Sequence, residues 1–405
     1  MVTMTHIRTN LRGCKDWADF GYPLSTTSNE ACKLYDAAVS QMTGMYEDPN
    51  FGGMAATIGK MLEADPEFVM GHILNTSIKM VGTIFIAKDD PIREEVTKLE
   101  QLMSNKAVTE IETKHLEAIK LLLDTDLTGA VAKWDAILHM NPFDILAIRH
   151  LFFGGVYLGS SAYSRDVMSR IVNEWNPSMP LYGYYLGEYA FLLQETNFFQ
   201  RAERNGFAAL DMNKHDIFAR HAISHVYEMQ GRVDEGINLL EGAEKDWNVC
   251  DHLACHMYWH NSLYYVEKGN YEEALSIFDN ELMKRYKESK SLPQMVDCSS
   301  LLYRLELENV AVGERWKDTM ELLNGGIKQQ FNLFLDPHLL MTCLGAKDKE
   351  ATTTFMDTFR ESGNRSIHRG YYPVVILTCR NVALTPSRCC FGAVELARPR
   401  IVDPS

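Results

Sequence analysis

Three stretches decide the fold: ETNFFQRAERNGFAAL (195–210), MQGRVDEGINLLEGA (229–243) and EKGNYEEALSIFDNEL (267–282). Each carries a turn residue near its start: Asn197, Gly231 and Gly269, spaced by 34 and then 38. At the same offset after each turn stands a small residue: Ala202, Gly236 and Ala274. Gly and Asn accept backbone that ends one helix and lets the next begin. A small residue one and a half turns later lets two antiparallel helices approach closely. DTDLTGAVAKWDAILHMNP (124–142) reads as an earlier copy, with Ala130, Trp134 and the closing Pro142. Ala130 and Ala202 are 72 apart, which leaves room for one degenerate copy between them. FGGMAATIGKMLEADP (51–66) is a further candidate.

A helix-turn-helix unit of about 34 residues is the tetratricopeptide pattern, in which stacked pairs bury a continuous core. The surrounding sequence agrees. From Ser28 to about Arg360 the apolar residues recur at three and four, as in EACKLYDAAVSQM and IETKHLEAIKLLL. Thr27 with Glu30 has capping-box spacing. Breakers fall between helices at Asp65-Pro66, Asn141-Pro142, Asn176-Pro177, Gly231, Gly269 and Gly345. No Gly/Ser linker divides this region. The expectation is an all-α chain: an α-solenoid of antiparallel helix pairs over residues 28–361. Residues 1–27 form an N-terminal extension and 362–405 an atypical basic tail.

Composition narrows the function. The 405-residue chain has 46% hydrophobic and 23% charged residues, which suits a globular protein. Lys+Arg 40 against Asp+Glu 54 gives −14, a poor balance for binding nucleic acid. No apolar run is long enough for a transmembrane helix, and the first residues lack a signal-peptide core. The 9 Cys, without a close C-x-x-C pair, read as reduced thiols of a cytoplasmic protein.

Longer phrases go beyond the repeat. PLSTTSNEACKLYDA (23–37), ADPEFVMGHI (64–73), ETNFFQRAE (195–203), ACHMYWH (254–260), EKGNYEEAL (267–275), DCSSLLYRLELE (297–308) and GERW (313–316) resemble the tetratricopeptide repeat protein 38 family. The resemblance runs from about Asp16 to about Arg360. It implies a helical-repeat protein with no established molecular activity and no catalytic residues to carry over. Tyr227 stands where that family tends to have another His. The last forty residues do not resemble the family, which continues with further helices. After Glu361 only two acids remain against six Arg, so the tail carries +4 and the rest −18. The tail is expected to pack poorly.

The histidines are the chemical oddity. His215, His221, His225, His252, His256 and His260 are six of the 13 in the chain. His221 and His225 are i,i+4 on one helix, with Glu228 three residues further on; His256 and His260 are i,i+4 on the next A helix. Counting Gly231 and Gly269 as fifteenth repeat positions, His221 is fifth, His225 ninth, Glu228 twelfth, His256 second and His260 sixth. Such A-helix positions line the concave groove of a tetratricopeptide array. Imidazole with carboxylate ligates Zn, Fe, Cu or Ni. Asp336 and His338 in LDPHLL are within reach of the same groove, and Cys250 and Cys255 are further ligand candidates. H-x-x-x-H without the Glu of H-E-x-x-H is a weak motif, and His on helix A also packs against aromatics such as Trp259.

Two functions follow. The favoured one is an interaction protein whose groove, with His221, His225, Glu228, His256, Trp259 and His260, contacts a peptide or protein partner; no cofactor is expected. The rival is a metal- or small-ligand-binding enzyme with a divalent metal on His221, His225, His256 and His260. Phosphate-loop, dinucleotide and nucleophile-elbow motifs are absent, and a non-enzymatic role is preferred. Clamps for acidic chaperone tails use Lys, Asn and Arg at these positions. Neutral imidazoles on an acidic body suit them badly, so that partner is disfavoured.

Overall fold

The computed structural model describes residues 8–80, 90–323, 327 and 335–363. Among these residues it is all helix, turn and loop, with no strand. The basic tail beyond residue 363 lies outside the described residues. Two compact units divide the chain, Met1–Ala254 and Cys255–Ser405, and the division falls inside one helix.

The first unit opens with α1 (Cys14–Asp19), α2 (Asn29–Gly44), α3 (Gly53–Ala64), α4 (Val69–Met80) and α5 (Ile92–Ser104). It continues through α6 (Glu110–Leu123), α7 (Leu127–Met140), α8 (Ile145–Tyr157) and α9 (Ser161–Ile171). Then come α10 (Tyr182–Glu195), α11 (Phe199–Met212), α12 (Ile217–Met229), α13 (Val233–Glu241) and α14 (Glu244–Trp247). α10 packs on α12, one hairpin further on, and sequence neighbours pack on one another: α2 on α3, α6 on α7, α7 on α8, α10 on α11 and α11 on α12. Short connections make such neighbours antiparallel.

The hairpin turns are chemically alike. Thr125, Gly159, Asn197 and Gly231 all have left-handed backbone, with φ from 62° to 67°. At each, the next amide donates back to the carbonyl five residues earlier. The bonds are Asp126 N to Leu121 O at 2.8 Å, Ser160 N to Gly155 O at 2.7 Å, Phe198 N to Leu193 O at 2.9 Å and Arg232 N to Tyr227 O at 2.8 Å. This closure satisfies carbonyls that the helix end would leave open. Gly159 and Ser164 supply the degenerate copy between Ala130 and Ala202. Ser164 takes the small-residue place, fully buried, its hydroxyl donating to Leu151 O at 2.8 Å. Ala130 and Ala202 are also fully buried, as close helix crossing requires.

A buried charge network ties these helices together. Arg149 on α8 donates to Glu188 Oε1 on α10 at 2.6 Å and to Met42 O at 3.2 Å. Phe153 and Phe218 face its guanidinium at 4.7 and 4.3 Å. Asp216, the N-cap of α12, accepts from Ala219 N at 3.0 Å. A Cβ at Gly187 would sit 2.8 Å from both Asp216 carboxylate oxygens, so only Gly admits this approach. Burial pushes the Asp216 carboxyl up to about 7, with Glu188 adding to the rise against the pull of the Ala219 amide. The residues before α2 are also anchored. Arg8 and Arg12 both bond Asp36, and Trp17 is buried beside Tyr35 at 5.5 Å.

The second unit contains most of α15 (Asp251–Glu267). It then has α16 (Tyr271–Ile277), which passes through a π turn at Phe278–Leu282 into α17 (Met283–Ser289). α18 (Leu292–Leu307), α19 (Arg315–Glu321), α20 (Leu335–Gly345) and α21 (Lys349–Gly363) follow. α18 packs on α19 and α20, and α20 on α21. The same turn recurs at Gly269, Asn309 and Lys347, with φ of 70°, 61° and 57°. Ala274 is fully buried.

Two local expectations are corrected. Ser28, not Thr27, caps α2, accepting from Ala31 N at 3.1 Å. Gly345 is not a breaker but a contact point. A Cβ there would lie 2.2 Å from the Trp316 ring, and Lys347 makes the turn.

Candidate functional site

In the first unit the site lies on α12. Asp216 caps the helix and orients its first turn, and the i,i+4 spacing puts His221 and His225 on one face. Their Nε2 atoms are 2.8 Å apart and their rings meet edge to face at 4.5 Å. One ring therefore donates an N–H that the other accepts. Phe191 on α10 packs against both rings, at 4.9 and 5.3 Å. Glu195, at the end of α10, has its Oε1 3.9 Å from His225 Nδ1. Both imidazoles are buried. Glu228 is half-buried one turn below them, and Tyr227 packs under the Arg232 guanidinium at 4.1 Å.

In the second unit the site lies on α15. His256 Nδ1 donates to Asp297 Oδ1 on α18 at 2.7 Å. The His256 ring stacks on Trp259 at 5.0 Å with a 13° interplanar angle. His260 meets His256 edge-on at 4.7 Å and Trp259 at 4.9 Å. His260 and Trp259 are buried, and His256 is half-buried. Burial holds His260 well below the usual imidazole range, helped by His256 and Arg304. It is thus neutral at pH 7.

Among the described residues, the group with the chemistry to hold a metal ion comprises His221 and His225 in the first unit and His256 and His260 in the second. Glu228, Asp336, His338, Cys250 and Cys255 are not in that group. His215 points elsewhere, its Nδ1 donating to Asp246 O at 2.6 Å. Cys250 donates to His215 O at 3.6 Å, and Asp336 and His338 are buried. Burial pushes the Cys255 thiol well up, with Asp297 and Cys298 adding to it, so it stays protonated. The His252 side chain lies outside the described residues. Glu195 and Asp297 were not among the residues singled out from sequence. Each lies about 30 to 40 residues from its histidine partner, and packing alone joins them.

No protein-family model matches the chain. Among solved structures, the chain is similar to a chain in the crystal structure of the APC/C hetero-tetramer Cut9-Hcn1, at 12% identity. The match covers 93% of this chain and 78% of that chain, with a TM-score of 0.40. The class is defined by this chain's own helices and turns: an all-α, tetratricopeptide-like helical-repeat protein. No helix among the described residues is long and apolar enough to cross a membrane.

Proposed function

We propose that the chain is a helical-repeat interaction protein of the tetratricopeptide repeat protein 38 type, which binds a peptide or helix of a protein partner along its A helices. One observation supports the reading. The same left-handed turn recurs at Thr125, Gly159, Asn197 and Gly231 in one unit and at Gly269, Asn309 and Lys347 in the other. Repetition of one hairpin builds an extended surface at low folding cost per unit, the usual basis of peptide recognition by such arrays. Of the groove candidates, His221, His225, Trp259 and His260 are buried and serve the walls. Glu228 and His256 retain exposed surface for contact.

The test is calorimetry on the purified full chain with a partner first identified by cross-linking in cells. Saturable binding that weakens at least about fivefold, roughly 1 kcal/mol, in Glu228→Lys supports the reading. Binding that Glu228→Lys and His256→Ala both leave unchanged argues against this face.

A further inference from the structure

We infer that each of two imidazole pairs, His221 with His225 on α12 and His256 with His260 on α15, supplies ligands for a divalent transition-metal ion, zinc in the first instance. This goes beyond the interaction reading and does not depend on it. Each pair has the i,i+4 spacing that directs two imidazoles from one helical face toward one point. On α12 the convergence is direct, with the two Nε2 atoms 2.8 Å apart. Two ligands at about 2.0–2.1 Å from a tetrahedral zinc are separated by about 3.3 Å. The rings need only part by about half an ångström as the ion replaces the shared proton. The ring carrying that Nε2 proton moves it to Nδ1, and on His225 the Glu195 carboxylate lies 3.9 Å from that nitrogen.

On α15 the preparation is of a different kind. Asp297 holds the His256 Nδ1 proton at 2.7 Å, which fixes the tautomer and leaves the Nε2 lone pair as the donor. A carboxylate behind a metal-bound imidazole is a recurring arrangement that aims the ring and raises its basicity. Trp259, stacked on His256 at 5.0 Å, holds the ring plane. Nitrogen donors alone suit Zn, Cu, Ni or Co better than Mg or Ca.

The experiment uses the full chain expressed without a His tag, titrated with cobalt(II) and, separately, with zinc. The expected results are a visible d–d absorption band on cobalt addition and a rise of several degrees in Tm on zinc addition. His225→Ala should remove the part of the band due to the α12 pair, and His260→Ala the part due to the α15 pair. Asp297→Asn, which removes no ligand, should weaken zinc binding by about tenfold or more. If an Ala variant does not fold, the wild-type titrations and Asp297→Asn decide. A wild-type chain with no cobalt band and an unmoved Tm overturns the inference, as does a band that neither Ala substitution diminishes.

Discussion

At the scale of single residues, polar groups sit where water is excluded. Asp216 is the clearest case. Its carboxyl is raised to about 7 in the folded chain, against an ordinary value of 3.8. The folded state therefore holds a proton that the unfolded state has lost. Below about pH 4 both states are protonated and the group is neutral to stability. As pH rises from about 4 to about 7 the unfolded state binds fewer protons, so stability falls. Asp216→Asn keeps a side-chain oxygen for the Ala219 amide and removes the charge. This variant is expected to lose that pH dependence and to be more stable than the parent at pH 8 by up to about 4 kcal/mol, the worth of that rise. Denaturant melts of both proteins at pH 4.5 and pH 8 check it. A variant less stable than the parent at pH 8 would show that the ionised carboxylate contributes through Arg149.

At the scale of elements, the hairpin is the unit, and its two signatures make separate predictions. Ala274→Leu forces extra atoms into a fully buried crossing and should destabilise by about 1–3 kcal/mol. A melting temperature that does not move would mean the repeat register is wrong. Gly231→Val places a β-branched residue at φ 67° and should lower stability by about 1–2 kcal/mol, read from the same melts. These elements were legible in sequence at Asn197, Gly231 and Gly269, where a Gly or Asn turn is followed by a small residue in a recognisable repeat; Gly159 and Asn309 make the same turn in more divergent copies and were not read. Thr125 and Lys347 escaped because neither residue type signals left-handed backbone; their conformation comes from the helix end closing on itself. Gly345 misled for the opposite reason, a glycine kept for its contact with Trp316. The histidine pairs were legible because i,i+4 spacing is a local property. Glu195 and Asp297 were not, since tertiary packing brings them to the imidazoles. Nor does spacing foretell the burial of His221, His225 and His260, which depends on neighbours such as Phe191 and Trp259.

At the scale of the whole molecule, repetition carries the functional reading. A chain that reuses one turn and one crossing has spent its sequence on a scaffold, and specificity then lies in the side chains the A helices leave accessible. The most direct test of that claim is site-specific photo-cross-linking in cells. A photoreactive residue is placed at Glu228, at His256 or, as the outer-helix control, at exposed Phe207 on α11. The account predicts a common protein adduct at positions 228 and 256 that is absent or much weaker at 207. An adduct formed only at 207, or no protein adduct at 228 and 256, would contradict it.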